Sequence, residues 1–176
     1  VRDLIVHPRE KDLVVGSYGR GVWVTNISAL QELTQEILDK DFFLFNIVDK
    51  PVSYTSQRAR WGNFHMTGDA HIRTPNERSG LNIYYYIKEK RSRPLTLIIE
   101  DMDGNEKARL KTATTSGIHK IVWISQDRIP GTFQFTLTAG TFRFTLTDGS
   151  IKTVRKGTLK PRILWPVGNP DNYRTP

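Results

Sequence analysis

The sequence predicts an all-β protein, and three observations carry that prediction. From Leu81 to Arg155, short runs rich in β-branched and aromatic residues recur between Gly and Pro turn signals. Two neighbouring segments, Thr132 to Gly140 and Thr141 to Gly149, are near copies that alternate Phe, Phe and Leu with polar residues. Close to the N-terminus, the β-type runs Leu13 to Gly16 and Val22 to Thr25 flank a Gly-rich turn, Ser17 to Gly21.

Residues 1–48 open with a further β-type run, Leu4 to His7, that stops at Pro8. The chain begins on Val1 rather than Met, so the expectation is the tail of a larger protein. After the third run one short helix is expected, with Ser28 as its N-cap. Ala29, Leu30, Leu33 and Ile37 then follow at helical spacing around Glu32. Asp41 introduces Phe42 to Phe45, a compact apolar run expected to be a buried strand.

Residues 49–79 lack periodicity and carry Pro51, Gly62, Gly68 and Pro75 together with Arg58, Arg60, Arg73 and Arg78. That composition predicts a linker. Its length exceeds an ordinary connection, so it is expected either to lie across a surface or to move.

Residues 80–160 hold seven strand candidates: 81–88, 95–101, 106–112, 118–125, 133–138, 142–147 and 151–155. Turn signals separate them at Pro94, Asp103–Gly104, Ser116–Gly117, Pro130–Gly131, Ala139–Gly140 and Asp148–Gly149. Seven short strands match the count of a constant-type immunoglobulin sandwich. The two near copies are expected to form a hairpin, with Phe133, Phe135 and Leu137 sharing a core with Phe142, Phe144 and Leu146. Residues 161–176 form a C-terminal tail.

Composition narrows the function classes. The 176 residues contain no Cys, which excludes disulfides, thiolate nucleophiles and Cys-based zinc sites. No run approaches the roughly 20 apolar residues of a membrane helix, and no membrane partner is expected. Lys and Arg outnumber Asp and Glu by 26 to 18, most densely at Lys88 to Arg93 and across Lys152 to Arg162. No nucleic-acid signature accompanies that charge, so nucleic acid is not expected as a partner. Lys88 to Arg93 is expected to be a solvated hairpin connection, and the second cluster a charged edge strand that resists edge-to-edge pairing.

The stretch Asp3 to Leu30 resembles the last blade of BNR-repeat, sortilin-like propeller proteins, often labelled glycosyl hydrolases. It matches their pattern at His7, Pro8, Arg9, Asp12, Gly16, Gly19, Arg20, Gly21, Trp23, Ile27 and Ser28. It departs at Ser17–Tyr18, where that family has Thr-His, and at Thr25–Asn26, where the family's acidic pair is missing. Residues 83–87, 95–104, 117–123 and 139–146 are similar, in order, to the immunoglobulin-like C-terminal module of the same proteins. The resemblance implies a blade remnant and sealing segment at 1–48, a linker at 49–79 and an immunoglobulin-like sandwich at 80–160. It implies a core role for Trp123 and no active site in that module.

The chemical motifs were weighed against that background. Gly16 to Gly21 leads into a strand and lacks the Lys of a phosphate loop, so a tight turn is expected. Its Tyr18 and Arg20 could face a ligand at a propeller's central surface. Glu100 to Glu106 gathers four carboxylates and an Asn, but between strands, where an EF-hand loop sits between helices. Glycosidase chemistry needs two carboxylates across a cleft, one with a raised pKa. Asp101 and Asp103 have the spacing but lie in a turn. The BNR signature Ser-x-Asp-x-Gly-x-Thr-Trp is absent, and so is a Gly-x-Ser-x-Gly elbow. His7, His65, His71 and His119 show no metal spacing. Trp61, Tyr84, Tyr86 and Trp165 are candidates to stack on sugar rings, against the alternative that Trp61 and Trp165 pin the linker and the C-terminal tail onto a domain face.

The expectation is therefore a non-catalytic C-terminal region of a secreted or periplasmic propeller protein, without cofactor or metal. It stabilises the propeller upstream and binds glycan or protein, through Tyr18, Arg20, Trp61 and Trp165. The alternative is the accessory region of a glycoside hydrolase whose catalytic residues lie upstream.

Overall fold

A computed structural model describes residues 3–8, 11–19, 21–52, 80–128 and 135–161. The chain is all-β, as the period-two patterning predicts, with short helices between residues 28 and 38.

Strands β1 (Asp3–Val6), β2 (Asp12–Gly16) and β3 (Val22–Asn26) form an antiparallel meander. At the first connection Lys11 takes a left-handed φ of 56°, and its N–H donates to the His7 carbonyl at 3.0 Å. Leu4 lies opposite Val15, which lies opposite Trp23; Ile5 lies opposite Val14, which lies opposite Val24. Directly opposed residues share a face and successive residues alternate. One face of this sheet therefore carries Leu4, Val6, Leu13, Val15 and Trp23, and the other Ile5, Val14, Val22 and Val24. Both faces are apolar, and Leu4, Ile5, Val22, Trp23 and Val24 are all exposed.

The expected single helix is two short ones, α1 (Ser28–Glu32) and α2 (Gln35–Leu38). Leu33 between them adopts extended backbone and packs, with buried Ile37, into one apolar cluster. Ser28 is the first helical residue rather than the cap, which is Ile27. Asn26 acts in its place: its Oδ1 accepts from the Ser28 N–H at 3.2 Å and from the Ser28 hydroxyl at 2.6 Å.

The larger unit is a sandwich. One sheet has the order β4 (Phe42–Leu44), β6 (Leu81–Ile87), β9 (Gly117–Trp123). The other has the order β5 (Lys50–Pro51), β13 (Lys152–Lys160), β12 (Gly140–Thr147), β7 (Thr96–Asp101), β8 (Glu106–Lys111). Leu44, Leu81, Ile83, Tyr85, Ile87 and Trp123 meet Leu97, Ile99, Phe142, Phe144, Leu146 and Leu159 between the sheets. Trp123 stands edge-on to Phe142 and Phe144, with ring centroids at 4.8 and 5.7 Å. On the opposite face of the three-stranded sheet, Phe43, Phe45, Tyr84, Tyr86 and Ile118 pack under Ala29 and Ile37 of the helices. The order is thus helices, three-stranded sheet, five-stranded sheet.

This arrangement corrects four expectations. Phe42 to Leu44 is buried as expected, but it pairs with β6 and does not seal the first sheet. The helices and β4, grouped with the first sheet at 1–48, therefore pack on the sandwich. Lys50–Pro51, assigned to the linker, runs parallel to the end of β13. Lys88 to Arg93 is not a hairpin connection, because it crosses from β6 in one sheet to β7 in the other. The near copies do not pair with each other: β11 (Phe135–Leu137) pairs with β10 (Gln126–Arg128), and β12 lies between β7 and β13. The reason is the turn chemistry. Gly140 lacks the positive φ that a two-residue hairpin requires, whereas Gly149 has φ +104° and turns β12 back into β13.

Candidate functional site

The Gly-rich turn is built as a tight hairpin connection. The Ser17 N–H donates to the Gly21 carbonyl at 2.9 Å, and the Gly21 N–H to Ser17 Oγ at 3.1 Å. A Cβ at Gly21 would stand 2.9 Å from Ser17 Oγ and 3.2 Å from Trp23 Nε1, which explains glycine there. Tyr18 projects at the tip with 88% of its surface exposed. Arg20, Trp61 and Trp165 lie outside the described residues, as do His65 and His71.

The acidic turn is structural. Asp101 Oδ1 accepts from the Asp103 N–H at 3.0 Å and the Asn105 N–H at 2.8 Å. Asp101 Oδ2 accepts from Asn105 Nδ2 at 2.9 Å and lies 3.5 Å from Lys107 Nζ. The hydrogen bonds from Asn105, then Lys107, hold this carboxyl below its ordinary value. A glycosidase acid needs the opposite displacement. No group of three or more His, Asp or Glu side chains able to hold a metal stands together among the described residues.

The remaining candidates also have local partners. His119 stacks on Tyr85 with centroids 5.3 Å apart, and its Nε2 lies 2.8 Å from the Thr115 carbonyl. The Tyr86 hydroxyl donates to the Leu38 carbonyl at 3.4 Å, and Lys120 Nζ lies 5.6 Å from the Tyr84 ring centroid. Tyr84 and Tyr86 are half-buried under the helices, so they are not free sugar platforms. No helix among the described residues is long and apolar enough to cross a membrane.

Two surface features were not anticipated. The first is an open depression of about 570 Å³ at one end of the sandwich, lined by Lys88, Lys90, Arg91, Arg93, Asp148 and Ser150. Arg91 Nη2 meets Asp148 Oδ2 at 3.1 Å and ties the crossing connection to the β12–β13 turn. Backbone N–H groups of Ile151 and Ser150, then the Ser150 hydroxyl and Arg91, hold the Asp148 carboxyl at about 2.

The second is the outer face of the five-stranded sheet. Because Phe142, Phe144, Leu146, Leu97, Ile99 and Leu110 face the core, their alternates face outward. The register aligns Lys152, Thr147, Thr96 and Lys111 in one row. Val154, Thr145, Ile98 and Arg109 form the next, and Lys156, Arg143 and Glu100 the third. Glu106 at the rim is held by Arg109 through bonds of 3.0 and 2.6 Å. Arg143, Lys111, Lys152 and Lys156 form no ion pair with another described residue. The period-two spacing of Lys152, Val154 and Lys156 signals this face, once the core side of β13 is known.

No known family, curated protein or solved structure matches this chain. Its function must be argued from its own residues: an apolar two-sided sheet, a sandwich with structural turns, and a basic outer face.

Proposed function

We propose that this chain is the non-catalytic C-terminal region of a secreted or periplasmic BNR-repeat, sortilin-like propeller protein. In this reading the β1–β3 sheet is the last blade. The sandwich is an immunoglobulin-like module that stabilises the propeller and binds glycan or protein. The observation that carries it is the first sheet, which exposes large apolar side chains on both faces. A sheet in a sandwich needs one cover, whereas a blade stacked in a ring is covered on both sides. Apolar patches left in water mark a missing neighbour. The meander order β1-β2-β3 supports the same reading, as do the residues from Asp3 to Ser28 quoted above.

Two features support the immunoglobulin-like part. The order β13-β12-β7-β8 parallels the G-F-C sheet extended by one strand, facing β4-β6-β9 in the place of A-B-E. Trp123 is a core residue against two Phe rings. The locked geometry of Asp101 supports a non-catalytic role.

The coding sequence upstream of Val1 tests the propeller reading. Several blade-like units there are expected; a start codon or a signal-cleavage site immediately upstream would overturn it. Polysaccharide turnover by the 176-residue chain, abolished in Asp101→Asn or Asp103→Asn, would overturn the non-catalytic role.

A further inference from the structure

We propose that the outer face of the five-stranded sheet binds an acidic polysaccharide, a polymer that carries carboxylate or sulfate groups among its hydroxyls. This deepens the reading of the sandwich as a binding module and does not depend on the blade.

Charge comes first. The face presents Arg109, Lys111, Arg143, Lys152 and Lys156 against Glu100 and Glu106, and Arg109 occupies Glu106. Arg143 lies directly opposite Lys156, a like-charge cross-strand pair, and opposite Glu100 on its other side, which offsets part of that repulsion. A face shaped for stability alone would alternate signs at those positions. An anion lying between the two side chains removes the repulsion.

Spacing comes next. Lys152 and Lys156 are four residues apart on β13, about 13 Å, and Lys152 and Lys111 are three strand spacings apart, about 14 Å. The cations thus frame a flat platform, with Thr96 and Thr145 inside it beside Val154 and Ile98, while the Thr147 hydroxyl is taken up in the β12–β13 turn by the Ile151 carbonyl and the Gly149 N–H. Threonine hydroxyls both donate and accept, which suits sugar hydroxyls. The two aliphatic side chains suit the C–H faces of sugar rings.

The same face lacks what other polyanions need. Single-stranded nucleic acid binds by stacking bases on aromatic side chains, and none of the outward residues in these rows is aromatic. A lipid surface needs a wide apolar flank to insert, and Val154 and Ile98 do not make one.

The test uses the whole 176-residue chain with alginate and heparin oligosaccharides as probes, dextran as the neutral control and single-stranded DNA as the rival polyanion. The triple variant Arg143→Gln, Lys152→Gln, Lys156→Gln is expected to weaken binding to an acidic glycan by about tenfold or more at low salt, with a shallower salt dependence. The variant Lys88→Gln, Lys90→Gln, Arg93→Gln removes equal charge from another surface and is expected to stay within about twofold. The circular dichroism melt of the second triple should overlay the parent, and the face triple should melt no lower, since its side chains lie on the outer face and their mutual repulsion is removed. If the chain binds the glycans and the face triple binds as tightly, the assigned face falls and the binding-module reading stands. If the chain binds neither glycan, the face and the glycan-binding part of that reading fall together. Tighter binding of the DNA than of either glycan at equal salt would overturn the proposed class of ligand.

Discussion

At the scale of single residues, the turns of the sandwich are held by carboxylates that serve the backbone. Asp148 accepts from the N–H groups of Ser150 and Ile151 at 3.0 and 2.9 Å, and its pKa falls from 3.8 to about 2. A depressed native pKa means that the folded chain binds fewer protons than the unfolded one. Its stabilisation is therefore full above about pH 4 and is lost as the pH falls towards about 2. Urea midpoints measured from pH 5 to pH 2 should decline less steeply in Asp148→Asn than in the parent. Gly157 gives a prediction of a different kind. It is buried between the sheets, and a Cβ there would stand 2.6 Å from Ile47 Cγ2 and 3.3 Å from Leu81 Cδ1. Gly157→Ala should cost about 1–3 kcal/mol in chemical denaturation, and adding Ile47→Ala should restore part of it. The Asp-Gly turns at 103–104 and 148–149 were legible from sequence because the dipeptide itself encodes the positive φ. The crowding at Gly157 was not, because it depends on Ile47, more than a hundred positions away.

At the scale of elements, strand positions were legible and strand partners were less so. Alternation marks a strand by its buried face, and each of the runs predicted between Leu81 and Arg155 contains one. Alternation says nothing about which neighbour a strand chooses. The segments 132–140 and 141–149 look alike, yet one contributes a strand of a two-stranded ribbon and the other a strand inside the five-stranded sheet. β12 is hydrogen-bonded on both edges, and its Phe144 is fully buried between Ile99, Trp123 and the opposite sheet. Phe144→Ala should cost about 3–5 kcal/mol, measured as the shift in urea midpoint times the slope. The helical region followed the same rule. Spacing placed Ala29, Leu33 and Ile37 correctly and Leu30 wrongly, since Leu30 is exposed; the break at Leu33 answers to the surface beneath it, formed by Phe43, Phe45, Tyr84 and Tyr86. The basic outer face escaped the sequence reading because β8, which supplies Arg109 and Lys111, joins β12 and β13 in one sheet from about thirty positions away.

At the scale of the whole molecule, the described residues divide into a sandwich covered by its own helices and a small sheet that they cover on neither face. The two-sided character of that sheet was written in the contiguous apolar runs Leu13 to Val15 and Val22 to Val24, since a half-buried strand would alternate. In solution such a sheet associates with whatever apolar surface it meets, including a second copy. The 176-residue chain should show concentration-dependent association in sedimentation velocity. Trp23→Lys combined with Val24→Lys places a charge on each face and should shift it to monomer.

The sandwich is closed by contacts between distant stretches of chain. Asp49 Oδ1 accepts from the Thr158 N–H at 3.0 Å, the Val52 N–H donates to the Lys160 carbonyl at 2.9 Å, and among the described residues β5 pairs only with β13. These contacts set a clock for biosynthesis. At roughly 5–20 residues per second, a ribosome needs on the order of 5–20 s to travel from residue 52 to residue 158. Throughout that interval β5 has no strand partner among the described residues. Folding of the sandwich can therefore finish only after β13 has emerged, and that strand locks in place a β5 made about a hundred residues earlier.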